Sequence, residues 1–200
     1  MAEASSADKL LAAAAEQFAQ HGLKGTRIQA IVKKAGVNER MIYHHFQSKE
    51  GLYRAVLAAQ WLGLAEAWQP ALEQAAKLAP LAGLQRALTA LAQQLLARPL
   101  LFPLAMHEAM SGWKFLPRAT LAHVPAELRA LYARGQQKGV LRRDCDFEVF
   151  YLSALGALGS LHTIAPRFAD LRRRTARSRQ LTTQLADQIV GIVLRGVSKR

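Results

Sequence analysis

The chain has a single cysteine, Cys145, in 200 residues. That excludes an intrachain disulfide framework and fits a reducing compartment. Acidic residues are also scarce: 14 Asp and Glu stand against 27 Lys and Arg, for a formal net charge of +13. A polyanionic partner suits that balance, although charge by itself does not choose among DNA, RNA and an anionic membrane surface. β-Branched residues are sparse outside a few runs, while Leu and Ala dominate, so intrinsic propensity points to an all-α chain. The N-terminus lacks a basic region followed by an apolar core, so no signal peptide is expected. No stretch reaches the ~20 uninterrupted apolar residues of a membrane span. A cytoplasmic protein without a membrane partner is the expectation.

Enzyme signatures are missing too. No glycine-rich phosphate loop and no Gly-x-Ser-x-Gly elbow occurs. The run His107-Glu108-Ala109-Met110-Ser111 stops one histidine short of a zinc-protease helix. The six histidines show no metal spacing with carboxylates. Neither an enzyme, nor a cofactor, nor a metal site is expected.

What the chain does have is a succession of helical stripes with glycine and proline punctuation. Its length suits one domain, or a small head on a larger body. Ser5 can cap a first helix, with Asp8 at the capping-box position. Leu11, Ala14, Ala15, Phe18 and Ala19 then make one face, and Gly22 can stop it. A second helix is predicted from Thr26, with Ile28, Ile31, Val32 and Ala35 at i, i+3, i+4, i+7. Gly36 ends it, since glycine enters the left-handed turn cheaply. Asn38 caps a third helix, in which Ile42 and Phe46 face inward. Ser48 caps a fourth, which Pro70 should kink or break. Further helices are predicted over about 80–97, 99–112 (kinked at Pro103), 126–138, 147–164 and 180–197. The sum is about nine helices: a three-helix head at 1–48, and a helical bundle at 49–200.

Two short helices joined by a tight glycine turn at 26–49 form a helix-turn-helix, whose second helix lies in the DNA major groove. Such a helix needs groups for base edges, donors for phosphates and an apolar back. Asn38, Glu39, Arg40, Tyr43 and His44 are polar or long, while Ile42 and Phe46 form the inner stripe; Met41 could belong to either side. Arg40 could read guanine, and Asn38 adenine or a phosphate. Arg27 and Thr26 lie at the start of the supporting helix. Lys49 opposes its own helix macrodipole, at a cost of roughly 0.3–1 kcal/mol, a conflict that a phosphate would remove and that Glu50 could also offset. The motif is not the most basic region: residues 1–60 carry +3, and 61–200 the other +10, with five arginines between 172 and 179. That run reads as a solvated loop.

Phe18, Gly22, Thr26, Ile31, Ala35-Gly36-Val37, Ile42-Tyr43-His44-His45-Phe46 and Ser48-Lys49-Glu50 resemble the DNA-binding head of the tetracycline-repressor (TetR) family. The resemblance covers residues 10–57. It implies an all-α homodimer with three-helix heads and a C-terminal body that binds a small effector. It also implies that Thr26, Tyr43, His44 and Lys49 contact DNA phosphates. Arg40 and Met41 depart from the family habit of a small residue followed by Ser or Thr, so the operator sequence does not transfer from a relative.

In the body, Trp61, Trp68, Phe102, Met106, His107, Met110 and Trp113 could line an effector cavity with few polar groups. Aromatic and Met residues at helical spacing are more often core than pocket lining. His107-Glu108 could orient a polar effector or form a satisfied surface pair. The apolar candidates favour a hydrophobic or aromatic small molecule. The last two helices carry more apolar surface than one core-facing stripe requires: Tyr151, Leu155, Leu158 and His162 on one, Leu185, Ile189 and Ile192 on the other. Doubled by a two-fold axis they would make a four-helix dimer interface. The expected function is a ligand-responsive regulator, most simply a repressor, that binds a near-palindromic operator as a homodimer. The competing reading is a sequence-nonspecific architectural DNA-binding protein, suggested by the net charge.

Overall fold

The computed structural model describes residues 5–116, 123–171, 173 and 179–199. Most of the basic run at 172–179, read above as a solvated loop, lies outside the described residues. Arg173 is described, and it pairs with Asp170 at 2.6 Å. The chain is all-α; among the described residues the only β feature is an isolated antiparallel bridge, Leu141 to Ser198. It forms two compact units, Met1–Gly63 with Arg98–Arg118, and Leu64–Ala97 with Ala119–Arg200.

The first unit holds α1 (Ser6–Gly25), α2 (Ile28–Ala35), α3 (Arg40–Phe46), the start of α4 (Lys49–Ala76) and α6 (Leu101–Met110). Ser5 and Asp8 close a reciprocal capping box at the start of α1, satisfying amides that have no partner within the helix. Gly22, with φ 64°, ends its regular part. Gly36 ends α2 in the left-handed region at φ 65°. The predicted stripes converge: Leu10, Ala14, Phe18, Ile31, Ile42, Leu52, Val56, Leu57 and Leu104 form one buried core. Phe18 and Tyr53 meet edge to face at 4.9 Å, the arrangement ring quadrupoles favour.

The second unit is built on α5 (Pro80–Leu96), which buries Leu84, Ala87, Leu88, Leu91, Ala92 and Leu95. Around it pack α7 (Ala126–Gln137), α8 (Phe147–Thr163) and the last helix, α9 (Arg179–Val197). Pro80 stands in the first turn of α5, where its missing amide is no loss. Arg134 donates to the carbonyls of Ala76 (2.8 Å) and Leu78 (3.4 Å), placing a cation at the C-terminus of α4. Tyr132 donates its hydroxyl to the Cys145 carbonyl at 2.9 Å.

Several local expectations differ from the structure for identifiable reasons. Pro70 does not break α4, which continues to Ala76. Pro70 and Glu66 are both exposed, so water can satisfy the carbonyl that the proline leaves without a donor. Pro103 lies in the first turn of α6, where an amide has no helical acceptor to lose. The second helix begins at Ile28 rather than Thr26 because Thr26 is drawn onto the end of α1. Its amide and hydroxyl both donate to Gly22 O, at 3.2 and 2.7 Å. Finally, Phe147–Arg167 is long and apolar enough, by length and composition, to cross a membrane. In this fold it supplies α8, which buries Phe150, Ala154, Leu158 and Gly159 in the second unit.

Candidate nucleic-acid interface

The recognition helix α3 is seven residues long, too short to be stable on propensity alone. It is held from behind. Ile42 is fully buried, and Met41 and Phe46 pack partly buried against the same core, which places Met41 on the inner side. Asn38 accepts the Arg40 amide on Oδ1 at 2.9 Å, so it fixes the start of the helix as the sequence predicts. Ser6 Oγ and His45 Nε2 meet at 2.8 Å, pinning α3 to α1.

At the other end, Gln47 adopts φ 66°, and Ser48 Oγ accepts the Gly51 amide at 2.9 Å to open α4. Here the chain passes extremely close to itself. A Cβ on Gly51 would lie 2.0 Å from Phe46 O. That neighbour is backbone, so no rotamer change could relieve the clash.

With its back and both ends fixed, α3 presents Arg40, Tyr43 and His44 at i, i+3, i+4, and so on one face. All three are exposed, Tyr43 by 51%. Arg27 and Asn38 are exposed; Glu39 and Lys49 are half-buried. Thr26 is placed elsewhere, being 2% exposed. Its hydroxyl proton is directed at Gln17 O (3.0 Å) and Gly22 O (2.7 Å), leaving none for a phosphate.

The seven candidate effector residues are divided between the two units, Trp68 in the second and the other six in the first. Trp68 is a core residue of the second unit, 4% exposed, with its indole N–H donated to Ala87 O at 2.8 Å. Trp61 packs partly buried against the core of the first unit. Phe102 is half-buried, while Met106, Met110 and Trp113 are exposed. His107 turns to α1, with Nε2 3.2 Å from Ala19 O. A cavity of about 720 Å³ in the first unit takes only His107 and Met110 from this set.

That cavity contains Glu108, which the sequence offered as either an orienting group for a polar effector or half of a surface pair. Glu108 is fully buried, so it is not half of a surface pair. Its Oε2 accepts the amides of Phe115 (2.9 Å) and Leu116 (3.2 Å). Its Oε1 is buried outside hydrogen-bond geometry to any donor. Burial, then a hydrogen-bond interaction with the Glu108 carboxylate and its charge, push the Tyr53 phenol well above its ordinary range, so it remains protonated. A lone acidic residue inside the apolar run Leu104–Met110 was the available signal.

In the second unit, α8 exposes Val149 (57%) and Leu152 (67%), and α9 exposes Ile192 (62%). Tyr151, Leu155, His162, Leu185 and Ile189 are half-buried beside them. Leu158 points inward and is 2% exposed. Burial lowers the His162 pKa below 6.5, partly opposed by a hydrogen bond with the Leu95 backbone.

Comparison with known proteins agrees with this architecture. Residues 10–56 match the family profile described as bacterial regulatory proteins, tetR family, and residues 80–198 match the tetracycline-repressor-like C-terminal domain. Over 54 residues the chain is 46% identical to the transcriptional repressor KstR2 of Mycolicibacterium smegmatis, spanning 27% of this chain and 26% of that protein. Over 48 residues it is 46% identical to the regulator RutR of Escherichia coli, 24% of this chain and 23% of that one. The similarity to these relatives thus spans about a quarter of their length. The structure of the Streptomyces coelicolor regulator SCO4942 superposes with a TM-score of 0.72 at 25% identity, over 96% of this chain and 98% of the other. The ketosteroid regulator KstR2 of Mycobacterium tuberculosis has the same fold, with a TM-score of 0.69 at 22% identity, covering 100% and 98%. With both its helix-turn-helix head and its C-terminal region matched, the chain belongs to the TetR family of bacterial transcriptional regulators.

Proposed function

We propose that this regulator is a ligand-responsive repressor that binds a near-palindromic operator as a homodimer, with residues 1–48 as the DNA-reading head and 49–200 as the effector-binding and dimerising body. The observation that carries the DNA reading is the outward face of α3. Arg40, Tyr43 and His44 share one exposed side of a helix whose opposite side, at Ile42, is fully buried. A helix held in this way can enter the major groove without reorganising. Arg40 and Asn38 are assigned to base edges. Tyr43, His44 and Lys49 are assigned to phosphates, with Arg27 and Glu39 at the margins of the contact.

Dimerisation is supported by the apolar residues that α8 and α9 leave uncovered, chiefly Leu152 and Ile192. A two-fold axis through that surface would repeat the heads, and half-sites would lie about 34–36 Å apart or at a multiple of that spacing. Emptying an occupied operator requires an effector that prefers the non-binding state by about 5.5 kcal/mol. Trp61, Phe102 and Met106 remain the candidates for an apolar part of its site.

The test is a selection of bound sequences from random DNA with the purified protein, followed by affinity for the selected and for random duplexes at physiological salt. A preference of ~10³ or more supports the repressor reading. Comparable affinity for both would favour a nonspecific architectural protein, the reading suggested by the +10 that lies outside residues 1–60.

A further inference from the structure

The cavity of about 720 Å³ in the first unit lies at the C-terminal end of α1, the start of α4 and the end of α6, and it is chemically polarised. At its inner side is Glu108, fully buried, with Oε1 outside hydrogen-bond geometry to any donor and the Tyr53 hydroxyl interacting with the same carboxylate. A carboxylate oxygen in that position calls for a donor, because leaving it unpaired costs the full desolvation of the group. Tyr53 and Phe115, which meet edge to face at 5.4 Å, supply an aromatic wall. Its more exposed lining includes three lysines, Lys24, Lys49 and Lys114, and one acidic residue, Glu50. The donor-seeking group inside and the more exposed cations are complementary to the two ends of one molecule.

We propose that this cavity is a binding site for a small organic acid that also carries a hydroxyl or amine donor: its carboxylate faces the lysines, its apolar body lies along Tyr53 and Phe115, and its donor pairs with the Glu108 carboxylate, whose buried Oε1 a small shift of the cavity wall uncovers on binding. Because Lys49 lines the site, the bound acid would compete with DNA phosphate for the same ammonium. Operator and acid would then weaken each other by the same factor. This last consequence rests on the DNA-binding role assigned to Lys49 above; the existence of the site does not.

The test is therefore done first without DNA, on the full chain, by isothermal titration with 4-hydroxyphenylacetate, 4-hydroxybenzoate and indole-3-acetate. At least one should bind with a Kd of about 1 mM or tighter. For 4-hydroxyphenylacetate, removing the hydroxyl (phenylacetate) should weaken binding about tenfold or more in the wild type, and hardly at all in Glu108→Gln. Removing the charge (4-hydroxyphenylacetamide) should weaken it in the wild type and less in Lys114→Ala. Glutamine keeps an oxygen for the two amides that Glu108 accepts, and Lys114 is exposed, so the second variant decides if the first does not fold. Binding with both couplings supports the site. No heat from any of the three acids, or binding indifferent to both substitutions, overturns it. Acid binding that leaves operator affinity unchanged would keep the site and refute its link to Lys49.

Discussion

Replacing Thr26 by valine separates two roles that the same residue could have. Resemblance to the family assigns this threonine to a DNA phosphate. In the structure it is 2% exposed, and its hydroxyl lies 2.7 Å from Gly22 O and 3.0 Å from Gln17 O. One proton is shared between those carbonyls, so the hydrogen bond counts once, at about 0.5–1.5 kcal/mol. Valine also puts a methyl where an oxygen now sits, and carbon prefers about 3.3–3.6 Å from a carbonyl oxygen, so the end of α1 must give way slightly. The total is about 1–2 kcal/mol, or about 2–8 °C in Tm for a chain of this size. The assay pairs thermal denaturation with a salt titration of operator binding. Tm should fall by that amount, while operator affinity of the folded protein and its salt slope stay at wild-type values. Thr26→Ser, which keeps the hydroxyl, should lose less stability. An unchanged Tm with a tenfold weaker operator complex would refute the reasoning and return Thr26 to the DNA backbone.

The other predictions concern the recognition face, the exposed apolar surface and pH. Lys49→Ala should weaken binding to every sequence and reduce the salt slope by about one, whereas Arg40→Ala should change which operator bases matter; a selection with unchanged base preference would remove Arg40 from the base-reading set. Ile192→Asp or Leu152→Asp should yield a folded monomer in analytical ultracentrifugation, since both side chains already face outward. Leu158→Asp should instead lower helicity, because that position is buried in the protomer. Burial holds the His162 pKa below 6.5, so the unfolded chain takes up this proton first on acidification. Stability attributable to His162 is therefore complete above pH 6.5 and declines below it until the native pKa is passed. Melting curves between about pH 7.5 and 5 should show a shallower decline for His162→Gln; parallel curves for variant and wild type would exclude His162 as the source.

What could be read from the sequence was whatever local chemistry decides. The capping box at Ser5 and Asp8, the Asn38 and Ser48 caps, the left-handed Gly36 and the stripe through Ile28, Ile31, Val32 and Ala35 depend on residues within one or two turns. So did the all-α class. What escaped depends on which segments meet. Thr26 reads as a helix start until α1 ends beside it. Pro70 reads as a breaker because its exposure, which lets water replace the lost bond, is a tertiary fact. Glu108 could be read either as orienting a polar effector or as half of a surface pair, because the backbone amides that it accepts come from residues 115 and 116. The candidate aromatics were found as a set, but periodicity gave no means of dividing Trp68, a core residue, from Trp113 on the surface.

The contact at Gly51 bears on how this regulator can diverge. With a Cβ at 51 excluded by the Phe46 carbonyl, α3 and the start of α4 are held in close approach, and an exchange at position 51 is closed as a route to re-aiming α3. On the proposed assignment of Asn38 and Arg40 to base edges, duplicated copies would acquire new targets by exchanging those two residues. Where the close approach of α3 and α4 is kept, the angle at which the helix meets the groove would be inherited unchanged. Descendants should therefore differ in operator sequence long before they differ in the outline they leave on DNA, and footprints should report ancestry where base preferences no longer do.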